Sequence, residues 1–343
     1  MSTLIDIDGS EGEGGVQMLR TSLALSLITG QPFRLRNVRA RRAKPGLAAQ
    51  HLMSVQAAAK IGNAKLRGAQ LGSTDLTFEP TRLKPGDYDF TIGTAGATGL
   101  VLHTIYLPLA LAKSPSSVAI EGGTHVKTSP CYHFLDRAWN AYLKALGIDI
   151  DLSLVRLGFY PRGGGRIEAR IMPAARIQPF HGMTTPAIPQ VEIIAGSAGM
   201  PEHVAERMIA RATERLTAIG LDVTVHRESW HGGPGCMLGL QFPTAPAPTF
   251  FFSLGERGKR AEAVADEAVA QAEAFLLADT PAVDEHSADQ LLLPLALADG
   301  PSEFRVASVS SHLLTNADVI RRFVDRGIEC TGLPGEPGVV KVG

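Results

Sequence analysis

Three short stretches of the sequence carry side chains whose types and spacing could do chemistry. The loop Gly9-Ser10-Glu11-Gly12-Glu13-Gly14-Gly15 runs from a predicted strand, Leu4 to Ile7, into an apolar helix. Backbone N–H groups in such a loop, with a helix start behind them, suit a phosphate. The two acids would repel a bare anion, and a divalent cation bridging Glu13 to phosphate oxygens would remove that conflict. A tight turn with solvated acids is the competing reading. In the second stretch Arg34, Arg36, Arg39, Arg41, Arg42 and Lys44 place six cations in eleven residues with no acid among them. Guanidinium forks match terminal phosphates, and the lack of interleaved aromatic residues points to grip on phosphates rather than base reading. The third is His312, set among Ser310, Ser311, Thr315 and Asn316, any of which could orient one ring nitrogen and leave the other for nucleophilic work. Taken alone, a single histidine more often has a structural role.

Several familiar chemistries are absent. Gly255-Glu256-Arg257-Gly258-Lys259-Arg260 is too short for a Walker A loop and lacks its Ser or Thr, and there is no Lys-x-Asp-Gly or His-Glu-x-x-His pattern. The three cysteines, Cys131, Cys236 and Cys330, show no C-x-x-C spacing and read as structural thiols of a reducing compartment. No export signal or bilayer-length apolar run is apparent, so a cytoplasmic location with no membrane partner is expected. With 343 residues, 45% hydrophobic and 20% charged, the chain reads as a globular protein of about two domains. Its 33 Lys and Arg against 34 Asp and Glu leave a net charge of −1. That neutrality hides a segment, residues 14–74, with ten basic residues and no acid.

The elements that must position these groups recur. Apolar helix candidates begin near Gly15, Gly99 and Ala288, and each is followed by a more amphipathic helix, near His51–Lys60, Phe134–Leu146 and Ala317–Arg326. His312 then falls just ahead of the last of these. Gln17 to His51 and Leu100 to Phe134 are both 34 residues apart, which suggests a unit of roughly 80 residues with two helices on one sheet, repeated two or three times. A Pro-punctuated segment, about Phe180 to Asp279, reads as β-α-β-β-β-α and is large enough to be an inserted domain. The expected class is therefore α/β, with a large domain from residues 1–179 and 280–343 and a small one from 180–279.

Four motifs run in one order along the chain: Asp8-Gly-Ser-Glu-Gly-Glu13-Gly-Gly-Val-Gln17-Met-Leu-Arg20; Arg39-Ala-Arg-Arg42-Ala-Lys44-Pro-Gly-Leu47 with Gln50-His51; Gly158-Phe-Tyr-Pro161-Arg-Gly-Gly-Gly165; and Ala288-Asp-Gln-Leu-Leu-Leu-Pro294 with Ser311-His312-Leu-Leu-Thr-Asn316. Together they resemble the RNA 3′-terminal phosphate cyclase family. The resemblance implies three β-α-β-α-β-β units similar to the C-terminal domain of bacterial translation initiation factor 3, with a smaller thioredoxin-like domain inserted. It implies an ATP-dependent ligase that turns an RNA 3′-phosphate into a 2′,3′-cyclic phosphodiester through a histidine-AMP intermediate. By position, His312 would be the nucleophile and Glu13 would hold a divalent metal, Mg or Mn. Arg20, Arg39, Arg42, Lys44, Gln50 and His51 would bind phosphate oxygens. His103, Pro130, His286, Ser287, Ala288, Asp289 and Gln290 would form the nucleotide pocket. Bacterial members commonly carry Gln where this chain has His103 and Tyr where it has His286. Non-catalytic relatives that act in ribosome assembly lack the nucleophilic histidine, and an RNA-binding factor of that kind is the alternative expectation. The sequence leaves open whether the protein is a single chain or a homodimer.

Overall fold

The structure is a computed structural model that describes residues 4–12, 17–183, 188–278 and 282–343. The first sheet is built by β1 (Ile5–Asp8), α1 (Gln17–Thr29), β2 (Phe33–Arg36), α2 (Ala49–Gly62), β3 (Lys65–Arg67) and β4 (Asp75–Glu79), with strand order β1-β2-β4-β3. β1 and β2 are parallel and the other pairings antiparallel. The pattern returns in β5 (Asp87–Thr91), α3 (Thr98–Ala110), β6 (Ser116–Gly122), α4 (Tyr132–Phe134), a π-helical stretch (Leu135–Trp139), α5 (Asn140–Ala145), β7 (Ile150–Arg156) and β8 (Gly165–Ile171), ordered β5-β6-β8-β7. Here too the first pairing is parallel and the rest antiparallel.

A short strand, β9 (His181–Gly182), precedes a different unit: β10 (Gln190–Ala198), α6 (His203–Ala218), β11 (Asp222–Ser229), β12 (Gly235–Phe242), β13 (Thr249–Leu254) and α7 (Ala261–Leu277), ordered β11-β10-β12-β13. The chain then continues through α8 (Glu285–Leu295), β14 (Ser302–Val306), α9 (Ser311–Phe323), β15 (Ile328–Thr331) and β16 (Gly338–Val342). These strands and β9 form the last sheet, ordered β15-β16-β14-β9, again with one parallel pair.

Burial explains the layering. Every residue of α3 is buried, from Thr98 to Ala110, because it lies among α1, α2 and its own sheet. Each fully buried Leu or Ile side chain there contributes about 1.5–3 kcal/mol. By contrast, α6 buries only the stripe Ala205, Met208, Ala212 and Leu216, with helical spacing. That stripe joins a core drawn from residues 191–275. The opposite face of the same sheet, including Ile194, Met237 and Phe250, packs into the main core.

Two sequence expectations change. The last amphipathic helix starts at Ser311, not Ala317, because Ser310 Oγ accepts the Leu313 N–H at 2.9 Å and caps it. His312 therefore lies inside its first turn. Arg34 and Arg36, acid-free neighbours in sequence, meet acids across the sheet: Asp75 at 2.6 Å and Asp6 at 2.7 Å. Two of the six clustered cations are thus paired on the sheet face.

Candidate active site

Polar side chains at i, i+3 and i+4 of otherwise buried helices meet in one cleft. Gln17, Arg20 and Thr21 come from α1, His103 and Tyr106 from α3, Asp289, Gln290 and Leu293 from α8, and Asn316 from α9. The cleft is narrow, with room for little more than a water-sized solute. Buried Asn316 ties three helices: its Oδ1 accepts the Thr21 hydroxyl at 2.6 Å and its Nδ2 donates to the Asp289 carbonyl at 3.1 Å. Arg20 is turned to Gln17 Oε1. On the α3 side, His103 stacks against Trp139 with centroids 4.8 Å apart, and neither ring nitrogen has a hydrogen-bond partner among the described residues. Burial, aided by the Arg20 charge, drives its pKa down to about 3, so the ring is neutral.

Asp289 is the buried acid of the cleft. Its Oδ1 accepts the Ser310 hydroxyl at 2.5 Å, so one serine both caps α9 and holds this carboxyl. Burial pushes Asp289 up to about 7, against the Ser310 hydrogen bond and the charges of His312 and His286. His312 is exposed, in the first turn of α9, where backbone N–H groups and the helix dipole favour an anion. The loop ahead of α1 reaches the same turn. Gly12, at φ +56°, lies so close to the Thr315 side chain that a Cβ there would collide with it. Arg41 Nη1 donates to the Gly12 carbonyl at 2.8 Å. Glu13, the expected metal ligand, lies outside the described residues.

A second group adjoins through Arg20. The pKa of His51 falls to about 3, first by burial and then by the charges of Arg39, Arg20 and Arg42, so the ring is neutral. His51 Nδ1 accepts the Ala48 N–H at 3.1 Å, so the ring proton is on Nε2. Gln50 Oε1 accepts the Ala97 N–H at 3.0 Å, which fixes its amide NH2 3.2 Å from that same Nε2. Two donors face each other, an arrangement that an anionic oxygen between them would satisfy. Arg39 is half-buried, at φ +56°, with Nη1 on the Gly46 carbonyl at 2.9 Å, while Arg42 and Lys44 are exposed.

The remaining expected residues are more scattered. Asp284 caps α8 by accepting the His286 and Ser287 N–H groups, each at 3.0 Å. Ser287 and Ala288 are buried and His286 is exposed, with Nε2 3.8 Å from Glu285 Oε1. Half-buried Pro130, on the loop before α4, is not among the residues lining the cleft. Sequence reasoning assigned no role to the cleft residues Thr21 and Tyr106. Their signal was a polar group one helical turn from Gln17 or His103 in an apolar helix.

The sequence model of a family described as RNA 3′-terminal phosphate cyclase matches residues 11–330. A protein of that name from Ectopseudomonas mendocina is 44% identical over 95% of this chain and 94% of its own length. One from Methanopyrus kandleri is 40% identical over 99% of both chains. A solved structure, the enolpyruvyl transferase NikO from Streptomyces tendae, aligns over 100% of this chain and 82% of that one at 12% identity, but a TM-score of 0.21 carries no argument. With a family match from the first glycine loop to β15 and relatives at 40–44% identity along nearly the full length, the chain belongs to the RNA 3′-terminal phosphate cyclase family of enzymes.

Proposed function

We propose that the protein uses ATP to convert an RNA 3′-terminal phosphate into a 2′,3′-cyclic phosphodiester, with His312 as the nucleophile. His312 Nε2 attacks the α-phosphorus of ATP, the bond to the β-phosphate oxygen breaks and pyrophosphate leaves. The positive charge gained by the ring is met by Asp289, whose carboxyl proton leaves to solvent as the ring becomes cationic. AMP then passes from His312 to the RNA 3′-phosphate as an anhydride, and the vicinal 2′-OH displaces AMP, a closure favoured by proximity. On this reading Arg20, Arg39, Arg42, Lys44, Gln50 and His51 hold phosphate oxygens. The converging donors of Gln50 and His51 support that role.

The nucleotide base would lie over the mouth of the cleft against exposed His286, with Pro130 opposite, Ser287, Ala288 and Gln290 behind it and His103 at the floor. A divalent ion at Glu13, Mg or Mn, would neutralise phosphate charge. The matching order of the first, second and last sheets, with β9 as the first strand of the last, supports a reading of three repeated units in which the expected insertion of residues 180–279, a thioredoxin-like domain, begins after β9. A cytoplasmic setting fits an RNA substrate, and no described helix is long and apolar enough to cross a membrane.

The observation that carries the mechanism is an exposed histidine at a helix start beside a buried, hydroxyl-held carboxyl. Incubation with α-labelled ATP and Mg2+ or Mn2+ is expected to label the wild-type protein and leave His312→Ala unlabelled. An unlabelled wild type, or an equally labelled variant, refutes it.

A further inference from the structure

Away from the cleft, His125, Cys131 and His133 form a buried cluster whose ligand atoms all lie within 4.8 Å of one another. The spacing His-x5-Cys-x-His folds back on itself between β6 and α4, with Thr128 in the left-handed region at φ +56°. His125 Nε2 and His133 Nδ1 face each other at 2.8 Å. The outer nitrogen of each ring is held: His125 Nδ1 by Thr124 Oγ1 at 2.9 Å, and His133 Nε2 by Glu228 Oε2 at 2.9 Å. Glu228 is itself fixed by the Trp230 indole N–H at 2.7 Å. Cys131 Sγ has Met237 Sδ 3.8 Å away, and both residues are fully buried.

We propose that His125, Cys131, His133 and Met237 form a binding site for a thiophilic d10 cation, Cu(I) or Zn(II), that joins the loop after β6 to β12. The donor set of two imidazoles, a thiolate and a thioether is the soft set that such ions select. Histidine ligands whose far nitrogens bond a carboxylate or hydroxyl are the usual second layer of a metal centre. A pair of histidines serving only as a hydrogen-bonded strut has no use for a buried thiol and thioether at the same point.

The nitrogen pair and the sulfur pair each stand close to the spacing that coordination needs, and the sulfur-to-nitrogen separations, within 4.8 Å for Cys131, would close by up to about an ångström. Two imidazole nitrogens on one tetrahedral ion stand about 3.3 Å apart, and two sulfurs about 3.8 Å. The observed 2.8 Å and 3.8 Å require the rings to part by about half an ångström. The protons also balance. Without the ion, the Thr124 hydroxyl donates to His125 Nδ1, His125 Nε2–H donates to His133 Nδ1, and His133 Nε2–H donates to Glu228. With it, the His125 proton moves to Nδ1 and is accepted by Thr124 Oγ1, whose own hydrogen turns to the Gly158 carbonyl, 3.5 Å away. The Cys131 S–H bond breaks, a metal–sulfur bond forms, and one proton leaves to solvent. Burial raises the Cys131 thiol to about 12, so only ion binding would ionise it, while backbone N–H groups of His133 and Phe134 at the α4 start help the thiolate.

The site is independent of the nucleotide chemistry proposed above and is tested separately. Chelator-stripped, reduced protein is titrated with Zn(II), Cu(I) and, as a coloured probe, Co(II), with bound metal and released protons measured. Wild type and Cys236→Ala are expected to hold one equivalent and release one proton, and Cys131→Ala to bind at least 100-fold more weakly. Met237→Leu is expected to weaken Cu(I) about tenfold and leave Zn(II) unchanged. If Cys131→Ala does not fold, the thiolate-to-cobalt charge-transfer band of the wild type decides. Absence of that band, no retained ion, or equal retention by a folded Cys131→Ala overturns the proposal, and an unchanged Cu(I) affinity in Met237→Leu overturns the fourth ligand.

Discussion

Replacing Asp289 with Asn is expected to remove a definite piece of the protein's pH dependence. The buried carboxyl rises from 3.8 to about 7, chiefly through desolvation. A native pKa above the unfolded one means the folded state binds the extra proton between those values. Stability is therefore full below about pH 4 and declines as pH rises toward about 7. Three units at 1.36 kcal/mol each set that loss at about 4 kcal/mol. Asn keeps an oxygen for the Ser310 hydroxyl and cannot ionise, so the variant should lack the loss. The assay is urea unfolding at steps between about pH 4 and about pH 8, read as the difference between variant and wild type. Subtraction matters because His51 and His103, with native pKa values near 3, act in the opposite sense, adding stability as pH rises from about 3 to about 6.5 in both proteins. A flat difference curve across that range refutes the buried-proton argument, and a curve rising by several kcal/mol in favour of Asn supports it.

Ser310→Ala removes both the α9 cap and the Asp289 donor, so it should cost more than the ~1 kcal/mol of an ordinary cap, measured by denaturant unfolding. Gln50→Glu replaces a donor facing His51 Nε2–H with a charged acceptor; KM for a 3′-phosphorylated oligonucleotide should rise at least tenfold, with the melting temperature nearly unchanged. Gly12→Ala forces a Cβ against Thr315 at a positive φ and should slow protein adenylylation, with partial rescue by Thr315→Ala, scored by AMP labelling. Asn316→Leu breaks the bonds to Thr21 and the Asp289 carbonyl and strands buried polar groups, a loss of about 2–4 kcal/mol by urea melts.

Helix existence was legible wherever apolar spacing was strong: α1, α3 and α8 stand close to where their apolar runs placed them. Boundaries set by a single side chain were not, as the start of α9 shows, since a capping serine carries no hydrophobic signal. The arginine cluster misled in part because an acid-free stretch of sequence is not acid-free in space once β2 lies between β1 and β4. Neighbourhoods between distant segments were invisible for the same reason. Nothing along the chain links Glu228 or Met237 to His125 and Cys131, although His-x5-Cys-x-His was there to be read. The resemblance supplied the candidate residues, while the joint effect of the Arg20, Arg39 and Arg42 charges on His51 is a property of the folded chain.

The hydrogen bond from Thr21 to Asn316 spans 295 positions. At roughly 5–20 residues per second, the ribosome adds the second partner about 15–60 s after the first. During that interval α1 can already pack against α2 and α3, yet the turn bearing His312 does not exist. A nascent or prematurely terminated chain can thus be largely compact while lacking the residue proposed as its nucleophile. Contacts of such high sequence separation, with those of Arg322 to Asp6 and Glu11 spanning even more of the chain, carry a large loop-closure entropy and slow the folding step that forms them.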